Sequence, residues 1–235
     1  MSKNGLLKSS LAKKYLMALT GLFLCLFLVG HLLGNLQLFD LSVEGAERFN
    51  LYAKFMTTNP LIKAMSYLTY ACIIFHVIDG FVLTIQNKKA RPVKYVVEKG
   101  SANSSWSSRN MAILGTILLV FIVTHMQHFW YKMHFGGVTK IRIGEEVVKD
   151  LHTIVLDFFN PAINSMALFY VCLYVFAMAA MGYHLQHGFS SAFQSIGVNH
   201  FKYTPMIKKL GLAFCIMIPL AFAAIPVFLF YIQKS

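Results

Sequence analysis

Four histidines stand deep inside four separate apolar stretches of this 235-residue chain: His31, His76, His125 and His184. An imidazole is costly to hold in hydrocarbon, so an ionisable residue inside a membrane span marks a functional site by default. Neutral imidazoles on facing helices are suitable axial ligands for a metal, and the cores of helix bundles are where such sites are built. Four of them, one per stretch, are enough to clamp two haems. The four cysteines, Cys25, Cys72, Cys172 and Cys215, stand singly in apolar segments, with no C-x-x-C or C-x-x-C-H pattern. Iron–sulfur ligation and covalent c-type haem are thereby disfavoured. The expected cofactors are two haem b groups, held by axial ligands and packing alone.

The elements that must position these residues follow from composition. Hydrophobic residues make up 57% of the chain and charged residues 13%, with 21 Phe and 12 Met. A soluble domain carries roughly 25% charged residues, so the reading is an all-α, multi-pass membrane protein; its expected location is a bacterial cytoplasmic membrane. Five spans can be drawn in a single membrane domain covering 1–235, at about 15–39, 60–86, 109–131, 161–189 and 205–232. Each is long enough for the ~20 helical residues that cross the hydrocarbon. The basic, then apolar N-terminus lacks an A-x-A-like cleavage site, so the first span is read as uncleaved. Pro60, Pro161 and Pro205 are placed at first-turn positions. Pro219 and Pro226 lie inside the last span, where membrane helices tolerate a kink.

Charge sets the orientation. Lys3, Lys8, Lys13, Lys14, the 88–109 segment and Lys202, Lys208 and Lys209 put 13 of the 21 basic residues on one side, with a single acid, Glu98. The other side holds Asp40, Glu44, Glu47, Glu145, Glu146, Asp150 and Asp157 beside eight basic residues. The positive-inside rule then puts the N-terminus in the cytoplasm. The net charge of +12 is mostly this topology signal, and a nucleic-acid role is disfavoured.

Depth pairs the histidines. His31 and His125 each stand about 16 residues beyond the inner start of their spans, about 24 Å up at 1.5 Å per residue. His76 is about 16 residues, and His184 about 23, down from the outer starts of theirs, counted on the same rise. This gives an outer pair and an inner pair, each drawn from two helices. A bis-histidine iron has no open position, which suits electron transfer. Gly21, Gly30 and Gly34 cluster around His31 in sequence, Gly80 follows His76, Gly115 precedes His125, and Gly182 and Gly188 flank His184. They offer clearance for a flat macrocycle, or simply close helix packing.

His128 and His187 follow proposed ligands by three residues, on nearly the same helical face. Each could replace that ligand or hydrogen-bond a haem propionate or a quinone, and for His128 an interfacial structural role stands equal. His134, His152 and His200 are expected in solvated loops. Asp79 is expected at a solvated helix end, with proton relay or ligand orientation as the functional alternative.

The segments TGLFLCLFLVGHLLGN and HLQHGFSSAFQSIG resemble the cytochrome b membrane subunit of succinate:quinone oxidoreductases, the succinate dehydrogenases and fumarate reductases. The match is to the single-chain, five-helix, two-haem type and covers nearly the whole chain in span order. The resemblance implies that His31 and His125 ligate the outer, distal haem and that His76 and His184 ligate the inner, proximal one. Gly188, four residues after His184, favours His184 over His187. It also implies a flavoprotein (FAD) subunit and an iron–sulfur subunit on the cytoplasmic face, with electrons passing between them and a membrane quinone, usually menaquinone. Some members carry a proton-transferring glutamate two residues before the fourth-helix ligand, where this chain has Gly182. Asp40, Glu44 and Glu47 are candidate acids near an outer quinone site. Arg109 and Lys94 are candidates for propionates or docking, or serve as topology anchors. Competing expectations are a haem-free structural anchor and the quinone cytochrome of a hydrogenase or formate dehydrogenase. A di-iron desaturase is disfavoured by the scarcity of intramembrane carboxylates, and a transporter by the two-layer split of the histidines.

Overall fold

The computed structural model describes residues 9–90, 102 and 104–234. Lys94, named above, lies outside the described residues. The described chain is helical apart from one short hairpin, and five helical segments are long and apolar enough to cross a membrane.

Helix α1 (Ser10–Asn35) runs into a 3-10 turn, Leu36–Phe39. At its end the Asn35 side chain donates to the His31 carbonyl at 2.8 Å, satisfying a carbonyl of the last turn. Helix α2 (Val43–Thr58) is capped by Ser42, whose hydroxyl accepts from the Gly45 N–H, with Glu44 in the first turn. Helix α3 (Pro60–Lys89) begins with Pro60 in its first turn, as the sequence predicts. Asn59 caps it, its side-chain oxygen accepting from the N–H groups of Leu61 and Ile62. A single turn, α4 (Trp106–Arg109), leads to α5 (Met111–His125).

Immediately after His125 the ladder widens to a π-helical stretch, Met126–Tyr131, before one more turn, α6 (Lys132–Phe135). Strands β1 (Lys140–Ile143) and β2 (Glu146–Lys149) pair antiparallel around Gly144, whose φ of 59° suits a tight hairpin turn. Helix α7 (Leu151–Phe159) follows, capped by Asp150 on the Thr153 N–H. Then come α8 (Ala167–Ser195) and α9 (Thr204–Ile232), the latter running through Pro219 and Pro226. The hairpin, α2 and α7 lie between the spans and are departures from the simple helix-and-loop expectation.

The fourth span also differs. Pro161 does not open a helix: it sits in a turn held by two asparagines, and α8 begins at Ala167. Asn160 accepts from the Ala162 N–H at 2.9 Å, while Asn164 donates to the Phe158 carbonyl at 2.7 Å and accepts from the Met166 N–H. His184 therefore stands 17 residues past the start of its helix, and His76 stands 16 past Pro60.

By internal contacts the chain forms two compact units, and each of the five long segments gives a stretch to both. One unit comprises 1–27, 68–118 and 180–217, with Ala18, Cys72, Leu114, Met181, Leu185 and Cys215 buried. The other comprises 28–67, 119–179 and 218–235. Its core joins Leu38, Phe158, Phe159, Val171, Tyr174 and Leu229. Many large apolar side chains face outward, Leu26 and Leu61 among them, as a hydrocarbon environment requires.

Candidate metal site: two histidine pairs

Each unit holds one pair of facing imidazoles. In the 28–67, 119–179, 218–235 unit, His31 of α1 and His125 of α5 have ring centroids 5.9 Å apart and planes at 87°. In the other unit, His76 of α3 and His184 of α8 are 6.2 Å apart at 65°. The four histidines singled out in the sequence are thus brought together two by two, in the combinations that depth counting gave.

The surroundings of the pairs differ. His125 is walled by aromatic rings: Phe121 stacks on it at 5.6 Å and Phe129 lies at 5.3 Å, while Phe222 packs on His31 at 5.7 Å. Its Nδ1 meets the Tyr174 hydroxyl at 3.3 Å. The His76–His184 pair has small neighbours instead. A Cβ added at Gly21 would come within 3.2 Å of His76 Cε1, and one at Gly115 within 3.8 Å of His184 Cε1. Sequence proximity had grouped these glycines with His31 and His125. Both in fact face the other pair, because each lies ten residues, about 15 Å of helix, before its nominal partner.

Thr20 completes this second site. Its hydroxyl lies 2.8 Å from the Leu16 carbonyl and 3.2 Å from that of Met17, so its proton is committed to the backbone. The oxygen is then left to accept from His76 Nδ1–H, 3.1 Å away. In that arrangement His76 carries its proton on Nδ1, and the Nε2 lone pair would be free for a metal. His184 Nδ1 is buried with no hydrogen-bond partner among the described residues.

The other candidates separate from these pairs. His128 follows His125 on the π-helical stretch and packs against Phe158 at 4.6 Å and Tyr170 at 4.8 Å. His187 lines a polar cleft of about 280 Å³ with Ser105, Ser107, Ser190 and Gln194, one turn beyond His184. His134 and His200 are exposed, as expected. His152 is not: it is 4% exposed, in α7 rather than a loop. Asp79 is likewise buried, at 6% exposure, with Oδ2 lacking a partner among the described residues, so the solvated helix end is overturned. Arg109 donates to the Ser104 carbonyl. Glu44 and Glu47 are exposed, and Asp40 forms an ion pair with Arg48. Gly30 and Gly188 face open space.

Imidazole rings with centroids about 6 Å apart could both reach one metal through nitrogens about 2 Å from it. Both pairs meet that spacing. Among the described residues no cluster of three or more His, Cys, Asp or Glu is placed to hold a metal ion. Each pair offers two imidazoles, which could hold a metal-centred group that supplies its remaining ligands itself. Comparison with protein-family models, curated proteins and solved structures gives no match.

Proposed function

We propose that the chain is the dihaem cytochrome b membrane subunit of a succinate:quinone oxidoreductase. It would pass electrons between an iron–sulfur subunit and a membrane quinone, with menaquinone as the expected one. The observation that carries this reading is the pair of imidazole separations, 5.9 and 6.2 Å, each built from two different spans. The residue pairing agrees with what the sequence resemblance implies: His31 with His125 for one haem, His76 with His184 for the other.

Haem, when bound, supplies a one-electron couple. The four histidines would hold the two groups, one pair to each, and would suit them to electron transfer. Thr20 would hold His76 in the ligating tautomer and Tyr174 would orient His125, the outer-shell contacts that set ligand basicity. The aromatic wall around His31 and His125 would keep water away from the group held there. The hydroxyl and amide cleft beside His187 would receive the polar edge of the group held by His76 and His184. The basic side carrying Lys13, Lys14, Lys88 and Lys89 would face the cytoplasm, where the flavoprotein and iron–sulfur subunits dock.

The test is purification of the tagged chain from its own membranes, followed by anaerobic addition of succinate. Copurification of an FAD subunit and an iron–sulfur subunit, with succinate reducing b-type haem, is the expected result. A hydrogenase or formate dehydrogenase subunit in their place would overturn the assignment while preserving the two-haem reading.

A further inference from the structure

His152 is a buried imidazole outside the five apolar spans, and nothing in the proposed electron path uses it. Its Nε2 has no hydrogen-bond partner among the described residues. Its ring meets Phe49 of α2 edge-on, with centroids 5.8 Å apart. One residue after Phe49 is Asn50, 1% exposed, which ties α2 to α7. The Asn50 side-chain oxygen accepts from the N–H groups of Leu151 and His152, both at 2.9 Å, and its amide donates to Asp150 at 3.0 Å. Thus α2 docks on the first turn of α7 through a hydrogen-bonded clamp, with a titratable ring sealed against it.

The charged groups acting on that ring are few. Asp150 stands at the start of its own helix and Asp40 precedes α2, and both favour the charged imidazole. Arg48 of α2 pairs with Asp40, and Lys54 of α2 pairs with Glu146 of the hairpin. Burial outweighs the two carboxylates and pushes the His152 imidazole below the usual histidine range. For Asp150, partial burial pushes the carboxyl up, but hydrogen bonds from Thr153 and Asn50 overcome it and hold it below the carboxylate range. Asp40 is also held low, chiefly by its hydrogen bonds to Ser42.

We propose that His152 is the titrating element of an acid-sensitive latch that holds α2 on α7. The latch does not depend on haem binding. The sign follows from proton counting. The undocked state binds a proton at the ordinary histidine value, about 6.5, whereas the docked state resists it. Docking is therefore strongest above that value and weakens as pH falls below it. The depressed carboxylates act in the opposite pH region: their contribution persists until well below about 4. Between about 4 and 6.5, His152 is the group that decides.

Amide hydrogen exchange of the full-length protein in lipid nanodiscs reads this directly, after correction for the intrinsic pH dependence of exchange. Going from pH 7.5 to pH 5, protection of the Val43–Thr58 amides should fall several-fold. The ceiling is about 30-fold, set by the 1.5 pH units below the ordinary histidine value. In His152→Phe, which keeps the ring contact with Phe49, and in His152→Gln, protection should be the same at both pH values. Unchanged protection in the wild type at pH 5 would overturn the proposal, as would an equal loss in both variants. A loss appearing only below pH 4 would assign the effect to Asp40 and Asp150 and overturn it as well. Should one variant fail to fold, the other and the wild-type pH midpoint still decide.

Discussion

The two histidine pairs share a spacing and little else. His76 and His184 are lined by Gly21, Gly115 and the Thr20 hydroxyl, a wall of small and polar groups. His31 and His125 are lined by Phe121, Phe129, Phe222 and Tyr174, a wall of rings. Glycine lets backbone approach the imidazole closely in the first case, and aromatic rings pack around it in the second. The contrast extends to the ligands themselves. His76 is fixed by a 3.1 Å bond whose direction the backbone dictates, while His125 has a looser 3.3 Å contact with a phenol free to rotate its proton. If each pair held a metal, the two would be tuned apart by their walls, since outer-shell hydrogen bonds and polarity set the electronic character of a bound metal.

The contrast can be broken most severely at the ligands. His125→Ala or His31→Ala should abolish one haem and leave the other, and His76→Ala or His184→Ala should do the reverse. Low-temperature optical spectra and electron paramagnetic resonance distinguish the two losses. If either variant in one pair removes both haems, the sites are not independent. Next in size is Thr20→Val, which removes the hydroxyl oxygen that faces His76 Nδ1. Loss of an outer-shell partner weakens metal binding about 10- to 100-fold, so haem should dissociate faster from the His76–His184 pair alone when apo-myoglobin is used as a scavenger. Tyr174→Phe should have a smaller effect on the other pair, under about tenfold, because its contact is longer and less directed. Smaller still is Gly21→Ala against Gly115→Ala. The first must displace His76 by a few tenths of an ångström and should shift only that haem's resonance, whereas the second adds an ordinary contact and should be silent. His128→Phe should leave both haem signals untouched.

Much of this was legible in the sequence, for identifiable reasons. His31, His76, His125 and His184 announce themselves because each is an ionisable group in a hydrocarbon run, and a fixed rise per residue suffices to match their heights. The start of α8 was misplaced because Pro161 has the signature of a first-turn proline. Asn160 and Asn164 use their side chains on the local backbone, and so delay the helix to Ala167. Helices α2 and α7 fall outside the five spans drawn from the sequence. They are short, lie between spans, and take their order from each other, through Asn50 reaching residues about a hundred positions away. That same contact buries His152, which by local composition looks solvated. Thr20 and Tyr174 carry no signal of their own, since a hydroxyl in an apolar helix also satisfies itself on the preceding turn, as Thr20 does on Leu16. The π-helical stretch after His125 likewise has no local sequence mark, yet it accompanies His128 in the Phe158–Tyr170 cluster rather than beside His31.

The central claim is that each histidine pair holds one haem. A pyridine haemochrome assay on the purified wild type and on His125→Ala, with protein determined by amino-acid analysis, tests it most directly. The account predicts two protohaems per wild-type chain and one per variant chain. A wild type with none, or a His125→Ala protein that keeps both while His128→Ala loses one, would contradict it.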